Sequence, residues 1–267
     1  MNKLSFLKGA LAAGVLTIVS GLSQATVVEI RTVLGNVQVN LFDDATPKTV
    51  SNFLSYVNSG AYANNVVHRS VPGFVVQAGG FSYSGEFPDL DTVPAGTPVI
   101  NEPKLSNLRG TIAMAKLGGQ PNSATSQWYI NLSDNNVSSL DPNVQGSGGY
   151  TVFGQVLGNG MQVIDAIAAL NRFNAGGALA NIPLRNFSST DATNNVEVTE
   201  NNLVLISDIV VIDAATKTHP EIVPVPNTLI KQSNNGDSGS ESGGGGSFAW
   251  LSLLALALVL VARRLRV

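Results

Sequence analysis

The chain has 267 residues, a formal net charge of −3 and no cysteine, which excludes a disulfide framework, a thiolate metal site and a cysteine nucleophile. Its only histidines are His68 and His219, and no long basic run crosses the middle, so a histidine-rich metal site and an electrostatic nucleic-acid footprint are excluded as well. With 44% hydrophobic and 12% charged residues, 27 glycines and 12 prolines, the central region reads as one turn-rich, largely β domain with a real core.

Residues 1–25 set Lys3 and Lys8 ahead of an apolar stretch over about 10–22, then Ser23-Gln24-Ala25, with small residues at the two positions a signal peptidase reads. The expectation is a signal peptide ending at Ala25 and an exported product. An uncleaved N-terminal anchor is the alternative, and the stretch is short for a bilayer core of about 30 Å.

Over residues 27–42, β-branched side chains flank Leu34-Gly35-Asn36, and Val37, Val39 and Leu41 alternate as in a strand with one buried face, which predicts a hairpin. At 46–60 Thr46 offers an N-cap hydroxyl and Pro47 suits the first helical position. Val50, Phe53, Leu54 and Val57 recur at helical spacing until Gly60 ends the segment. From 66 to 153 short apolar runs are cut by Gly, Pro, Asn and Ser, the pattern of a sheet or barrel with long loops. A second helix is predicted over 161–170, with Val163, Ile164, Ile167 and Leu170 on one stripe. Residues 171–202 are polar and unpatterned and read as an extended loop, whereas 203–212 form a continuous β-branched run fit for a buried closing strand. No repeat of a solenoid or propeller is visible.

The domain is thus expected to span 26–213. Residues 214–246 read as a flexible linker ending in Gly243-Gly244-Gly245-Gly246, and 247–267 as an apolar segment stopped by Arg263, Arg264 and Arg266. The positive-inside rule puts the arginines in the cytoplasm and the domain outside it, attached to the membrane through its C-terminus. This tail resembles the GlyGly-CTERM sorting signal of Gram-negative bacteria. The resemblance implies cleavage near the glycines by a rhomboid-like protease; a plain C-terminal anchor is the alternative.

No triad chemistry is legible: Gly-x-Ser-x-Gly occurs in no strand-to-helix context, and the carboxylates at Asp43-Asp44 and around Asp89 and Asp91 sit beside turn residues, where Asx-turns explain them. The segment His68-Arg69-Ser70-Val71-Pro72-Gly73-Phe74-Val75-Val76-Gln77-Ala78-Gly79-Gly80-Phe81 is different, because in order and spacing it resembles the signature of the cyclophilins. A second block, Gly110 to Ala115 and on through Ser123-Ala124-Thr125-Ser126-Gln127-Trp128-Tyr129-Ile130-Asn131, and a third, Tyr150-Thr151-Val152-Phe153-Gly154, follow in the family's order. The resemblance covers roughly residues 27–213 and is nearer the bacterial periplasmic branch than the cytosolic one.

That resemblance implies a mostly β fold, a closed eight-stranded antiparallel barrel capped by two helices, and peptidyl-prolyl cis–trans isomerase activity on proline-containing polypeptides. Residue by residue, it assigns catalysis to Arg69, the floor of the proline pocket to Phe74 and orientation of the substrate backbone to Gln77. Val75, Ala115, Lys116, Gln127, Tyr129, Leu140 and Tyr150 match the remaining substrate-binding positions. Singly, an arginine suits a surface ion pair and a buried aromatic suits a core; their joint occurrence in family order is what makes them a site.

The chemistry agrees. Rotating an Xaa-Pro bond passes through a twisted amide at a barrier of about 18–20 kcal/mol, and the nitrogen regains a lone pair there. A guanidinium that donates to this nitrogen while apolar walls grip the ring favours the transition state over either ground state. The rotation calls for no titrating base, metal or cofactor, and it moves no proton, so His68 is left out of the site.

Four positions depart from the family pattern. Ser139 stands where an aromatic wall is common, Tyr150 replaces a histidine, Val75 replaces a methionine, and Lys116 replaces an asparagine whose backbone meets the substrate. The rival reading is a non-catalytic module that only holds proline peptides as a chaperone or surface domain, with 171–202 supplying the partner contact. A hydrolase is the weaker third, and the missing triad argues against it.

Overall fold

The computed structural model describes residues 26–215 and 218–230. The expected signal peptide, the glycine run and the C-terminal apolar segment lie outside the described residues.

The first hairpin forms where alternation predicts it. Strand β1 (Val27–Thr32) pairs antiparallel with β2 (Gly35–Leu41), placing Val28 opposite Val39 and Ile30 opposite Val37, all four buried, while Asn36 and Gln38 face out. The Thr32 hydroxyl closes the turn by donating to Gly35 O at 2.7 Å and accepting from Leu34 N at 3.1 Å.

Helix α1 (Pro47–Asn58) has Pro47 in its first turn, buries Val50, Phe53 and Val57, and is followed by Gly60 at φ +71°. Its N-cap differs from the expected one. The Thr46 hydroxyl donates to Phe42 O at 3.4 Å and makes no cap bond. Instead Glu102, distant by 53 residues, accepts from Thr49 N and Thr49 Oγ1 on one oxygen, Oε2, both at 2.9 Å. A carboxylate there satisfies an orphan amide at the positive end of the helix dipole, so it does the work of a local cap.

The strands that follow are short: β3 (Asn65–Val66), β4 (Arg69–Val71), β5 (Val75–Ala78), β6 (Phe81–Ser82), β7 (Asp91–Thr92), β8 (Thr111–Met114) and β9 (Trp128–Asn131). A short helix α2 (Val137–Leu140), strand β10 (Val152–Val156) and helix α3 (Gly160–Ala168) come next, the last where the apolar stripe predicts it. Then come β11 (Asn171–Phe173), β12 (Ile182–Leu184), a short α4 (Ser189–Thr193) and β13 (Leu205–Asp213).

One antiparallel sheet takes the order β4-β5-β9-β8-β10-β2-β1-β13-β3-β6-β7. The mostly β, antiparallel class is therefore as expected, but the strand count and closure are not: eleven described strands form an order with two ends, β4 and β7. Gly, Pro and Asn cut the central chain into pieces of two to four residues, which raises the count. Register shifts between Val27 and Val28, Arg31 and Thr32, and Val152 and Gly154 bend the sheet.

Between the sheet and helices α1 and α3 lies the main core. Phe53 is fully buried at its centre, with ring centroids 5.1 Å from Phe153 and 5.6 Å from Tyr62. Helix α3 starts close against β10 and β2: a β-carbon on Gly160 would stand 2.6 Å from Val156 Cγ1 and 3.1 Å from Val37 Cγ1, so the site favours glycine. A second apolar cluster lies around Val75, Tyr129, Leu140 and Tyr150, on side chains that alternate with the core-facing ones of β5, β8 and β9.

Three sequence expectations are corrected. Residues 171–202 are not an extended loop: β11 pairs with β12, a Ser188–Asp191 capping box starts α4, and Leu179, Ile182, Leu184 and Phe187 bury a third apolar cluster with Leu203 and Leu205. Each of these pieces is too short to show a period. Strand β13 pairs with β1 as a closing strand would, yet only its first part is buried, and Val211 and Ile212 are 37% and 44% exposed. The linker, finally, does not begin at residue 214. Ser106 N donates to Val225 O and Asn227 N to Lys104 O, both at 2.8 Å, so the folded unit reaches Ile230. Prolines 224 and 226 donate no amide hydrogen, and their neighbours show no alternation, which is why this strap reads as linker in the sequence.

Candidate functional site

Arg69 on β4 lies directly opposite Gln77 on β5. Its Nη1 donates to Gln77 Oε1 at 3.1 Å, and Gln77 Nε2 donates in turn to Gln127 Oε1 at 2.9 Å. Gln77 is 3% exposed, so its amide has both ends fixed by partners and one orientation. Gly80 makes room for this row, since a β-carbon there would stand 2.8 Å from Gln127 Cδ. Among the described residues Arg69 makes no ion pair and has this one side-chain hydrogen bond. Burial lowers its pKa, opposed by Tyr150, and a guanidinium stays charged at neutral pH even so.

The β4–β5 turn presents Phe74. Pro72 and Gly73, at φ +67°, occupy its centre, and Phe74 N donates to Val71 O at 3.0 Å. Phe74 O accepts from Leu132 N and from Asn136 Nδ2, both at 2.8 Å, which pins the aromatic residue's backbone from the far side. The ring packs, half-buried, against a cluster holding Val75, Ala115, Tyr129, Leu140 and Tyr150. Tyr129 and Tyr150 meet edge to face at 6.2 Å, a favoured geometry for two rings.

The structure therefore brings together Arg69, Gln77 and Gln127 as a polar row, and Phe74, Val75, Ala115, Tyr129, Leu140 and Tyr150 as an apolar floor and wall. Lys116 behaves differently from expectation. Its side chain is buried, its Nζ donates to Ser147 O and Gly149 O, and it sits 4.7 Å from the Tyr150 ring centroid. Burial draws its pKa down to about 8. Its charge is thus committed to holding residues 147–149 beside the wall. Ser139, next to Leu140 on α2, leaves that edge without an aromatic ring.

His68 is 1% exposed, its Nδ1 has no partner, and its ring meets Phe81 edge-on at 4.9 Å. Burial, reinforced by the Arg69 charge, pushes its pKa down to about 3, so it is neutral and packed.

Two features were not legible in the sequence. Beyond Ala115 and Gln127 opens a groove of about 370 Å³ lined also by Ala95, Gly96, Gln120 and Asn122. Behind the wall, Tyr129 Oη donates to Asn107 Oδ1 at 3.0 Å, and Asn107 donates from its backbone and side chain to Asp141 Oδ1 at 2.8 and 2.9 Å. Both Asn107 and Asp141 are fully buried. In the sequence Asn107 follows Ser106 and Asp141 precedes Pro142-Asn143, contexts that read equally well as turns.

Comparison with known proteins bears on this geometry. The model of the family described as cyclophilin type peptidyl-prolyl cis-trans isomerase/CLD matches residues 27–188. The chain is 44% identical to peptidyl-prolyl cis-trans isomerase A of Dickeya dadantii, over 57% of this chain and 76% of that protein. It is 39% identical to a peptidyl-prolyl cis-trans isomerase of Acinetobacter baylyi, over 54% and 72%. To peptidyl-prolyl cis-trans isomerase B of Escherichia coli it is 38% identical, over 53% and 84%.

Proposed function

The chain belongs to the cyclophilin-type peptidyl-prolyl cis–trans isomerase family, and from that premise we propose that Arg69 drives rotation of Xaa-Pro bonds over the apolar floor made by Phe74. The activity is that of a peptidyl-prolyl cis–trans isomerase. The observation that carries the roles is the Arg69 guanidinium, free of any ion pair among the described residues and aimed by Gln77 at 3.1 Å beside the apolar cluster.

In this reading the proline ring seats on Phe74 between Val75 and Tyr129, where burying its methylenes contributes about 0.8 kcal/mol each. Gln77 and Gln127, already bonded to one another, orient the substrate backbone. As the amide twists, its nitrogen becomes a hydrogen-bond acceptor, and the Arg69 guanidinium donates to it. That bond exists only near the transition state, so it lowers the barrier without deepening either ground state. Lowering it by about 6 kcal/mol corresponds to roughly four powers of ten in rate.

The clients are exported or envelope proteins whose folding waits on proline isomerisation, a step of tens to hundreds of seconds when uncatalysed. What supports this is the sequence of the ends: the Lys3/Lys8 leader with its Ser23-Gln24-Ala25 site, and the glycine run, apolar segment and terminal arginines. The enzyme is then periplasmic or at the cell surface, cut by signal peptidase after Ala25 and held in the membrane by its C-terminus until a rhomboid-like protease acts near Gly246. It belongs with the bacterial periplasmic branch of the family. The mass of the mature protein tests this: loss of residues 1–25 and of the segment after the glycines supports it, and a full-length mass in the cytosolic fraction contradicts it. The rate of Xaa-Pro isomerisation with the purified protein tests the activity itself, and a folded protein that binds the peptide without acceleration would return the binding-module reading.

A further inference from the structure

The strap 222–230 does more than lie on residues 104–106, because one of its bonds reaches the backbone that carries the pocket wall. Asn227, 8% exposed, donates from Nδ2 to Asp141 O at 3.0 Å. Its Oδ1 accepts from Leu229 N at 3.0 Å and Ile230 N at 3.1 Å, which turns the strap and sets Ile230 against Gly149. Gly149, at φ +66°, has no room for a side chain: a β-carbon would stand 3.1 Å from Ile230 Cδ1 and 2.6 Å from Asp141 O.

From Asp141 the structure leads to the wall in two ways. Leu140, one residue before, is a pocket residue, and its carbonyl accepts from Tyr150 N at 2.9 Å. The Asp141 carboxylate holds Asn107, and Asn107 holds the Tyr129 hydroxyl at 3.0 Å and Tyr150 O at 3.3 Å. Asp141, whose carbonyl Asn227 grips, is thus linked to three wall residues: to Leu140 through the chain, and to Tyr129 and Tyr150 through Asn107.

We propose that Asn227 is a positioning residue of the isomerase: by tying the strap to Asp141 O it fixes the Leu140–Tyr150 wall, and so sets affinity for the proline substrate. It does not touch Arg69, so the rotation step itself is left alone. The inference rests on the isomerase reading above and adds to it a residue that lies outside the span matched by the family model, 27–188. It also makes the strap, which leads directly into the C-terminal tail, a working part of the catalytic domain.

The test measures kcat and KM for an Xaa-Pro peptide, with thermal midpoints, for the wild type, Asn227→Ala, Asn227→Asp and Val223→Ser. Val223 is 81% exposed on the same strap and is the control. Asn227→Asp keeps the acceptor for Leu229 and Ile230 but loses the donor to Asp141, so it spares the turn and cuts the tie; it also decides the matter if the alanine variant does not fold. The expected result is a KM about fivefold higher in both Asn227 variants, as loss of one buried hydrogen bond implies, with kcat nearly unchanged and Val223→Ser like the wild type. Variants with a lowered midpoint but a wild-type KM at a temperature where they are folded would overturn the proposal, as would a loss confined to kcat. A wild type that accelerates nothing would overturn the isomerase reading and this inference with it, an outcome distinct from an active wild type that its variants match.

Discussion

Arg69 and Gln77 face each other across the β4–β5 pair, and the guanidinium donates to the amide oxygen at 3.1 Å while the same amide donates to Gln127 at 2.9 Å. The guanidinium is therefore steered by a neutral side chain, which leaves its charge unneutralised.

Gln77→Ala removes that steering and leaves the arginine to sample other rotamers. We expect kcat/KM to fall by about tenfold to a hundredfold, the value of a hydrogen bond to a charged group, and stability to fall by about 1–3 kcal/mol as a buried amide with two partners is lost. Peptide isomerisation rates beside urea midpoints check it, and a variant with wild-type kcat/KM would show that Gln77 does not orient Arg69.

His68 links pH to stability. Its pKa is about 3 in the folded protein and about 6.5 in an unfolded chain. Between these values the unfolded chain takes up a proton that the folded protein refuses. The contribution is thus fully present above pH ~6.5 and is lost as pH falls toward ~3, by up to about 1.4 kcal/mol per pH unit. Urea unfolding at a series of pH values should give a steeper acid loss for the wild type than for His68→Gln; parallel curves would contradict the assignment.

Glu102→Ala should cost about 2–3 kcal/mol, because Thr49 N and Oγ1 lose a shared buried acceptor and the start of α1 loses its carboxylate. Thr46→Ala, whose hydroxyl makes no cap bond, should cost less. Chemical denaturation of the two variants ranks them, and the reverse order would restore the local cap.

Phe187 is 7% exposed and meets Phe173 edge to face at 5.1 Å, inside the 171–202 region. Phe187→Ala is expected to cost about 3 kcal/mol while leaving isomerisation intact. An unchanged denaturation midpoint would mean that this region does not pack as a third cluster.

How much the sequence shows depends on the reach of each interaction. The β1–β2 hairpin, α1 and α3 are legible because period and turn chemistry are local, whereas Arg69, Phe74 and Gln77 are singled out only by the family resemblance of the segment that holds them. The cap by Glu102, the Asn107–Asp141 network and the docking of Asn227 are not, since each joins residues far apart in the chain through side chains that serve equally well in turns. Lys116 shows the same limit: its position follows from the second block, but its commitment to Ser147 and Gly149 appears only once the chain is folded. In 171–202 the apolar residues are visible singly, and only their convergence on Leu203 and Leu205 makes them a core.

The most direct measurement is the isomerisation rate of a short Xaa-Pro peptide with the wild type, Arg69→Ala and Arg69→Lys, together with the affinity of each for the same peptide. Loss of the guanidinium should remove most of the acceleration, by about a hundredfold or more in kcat/KM, while peptide binding on Phe74 changes little, and lysine should restore only part of it. An Arg69→Ala protein that is folded and as fast as the wild type would contradict the account.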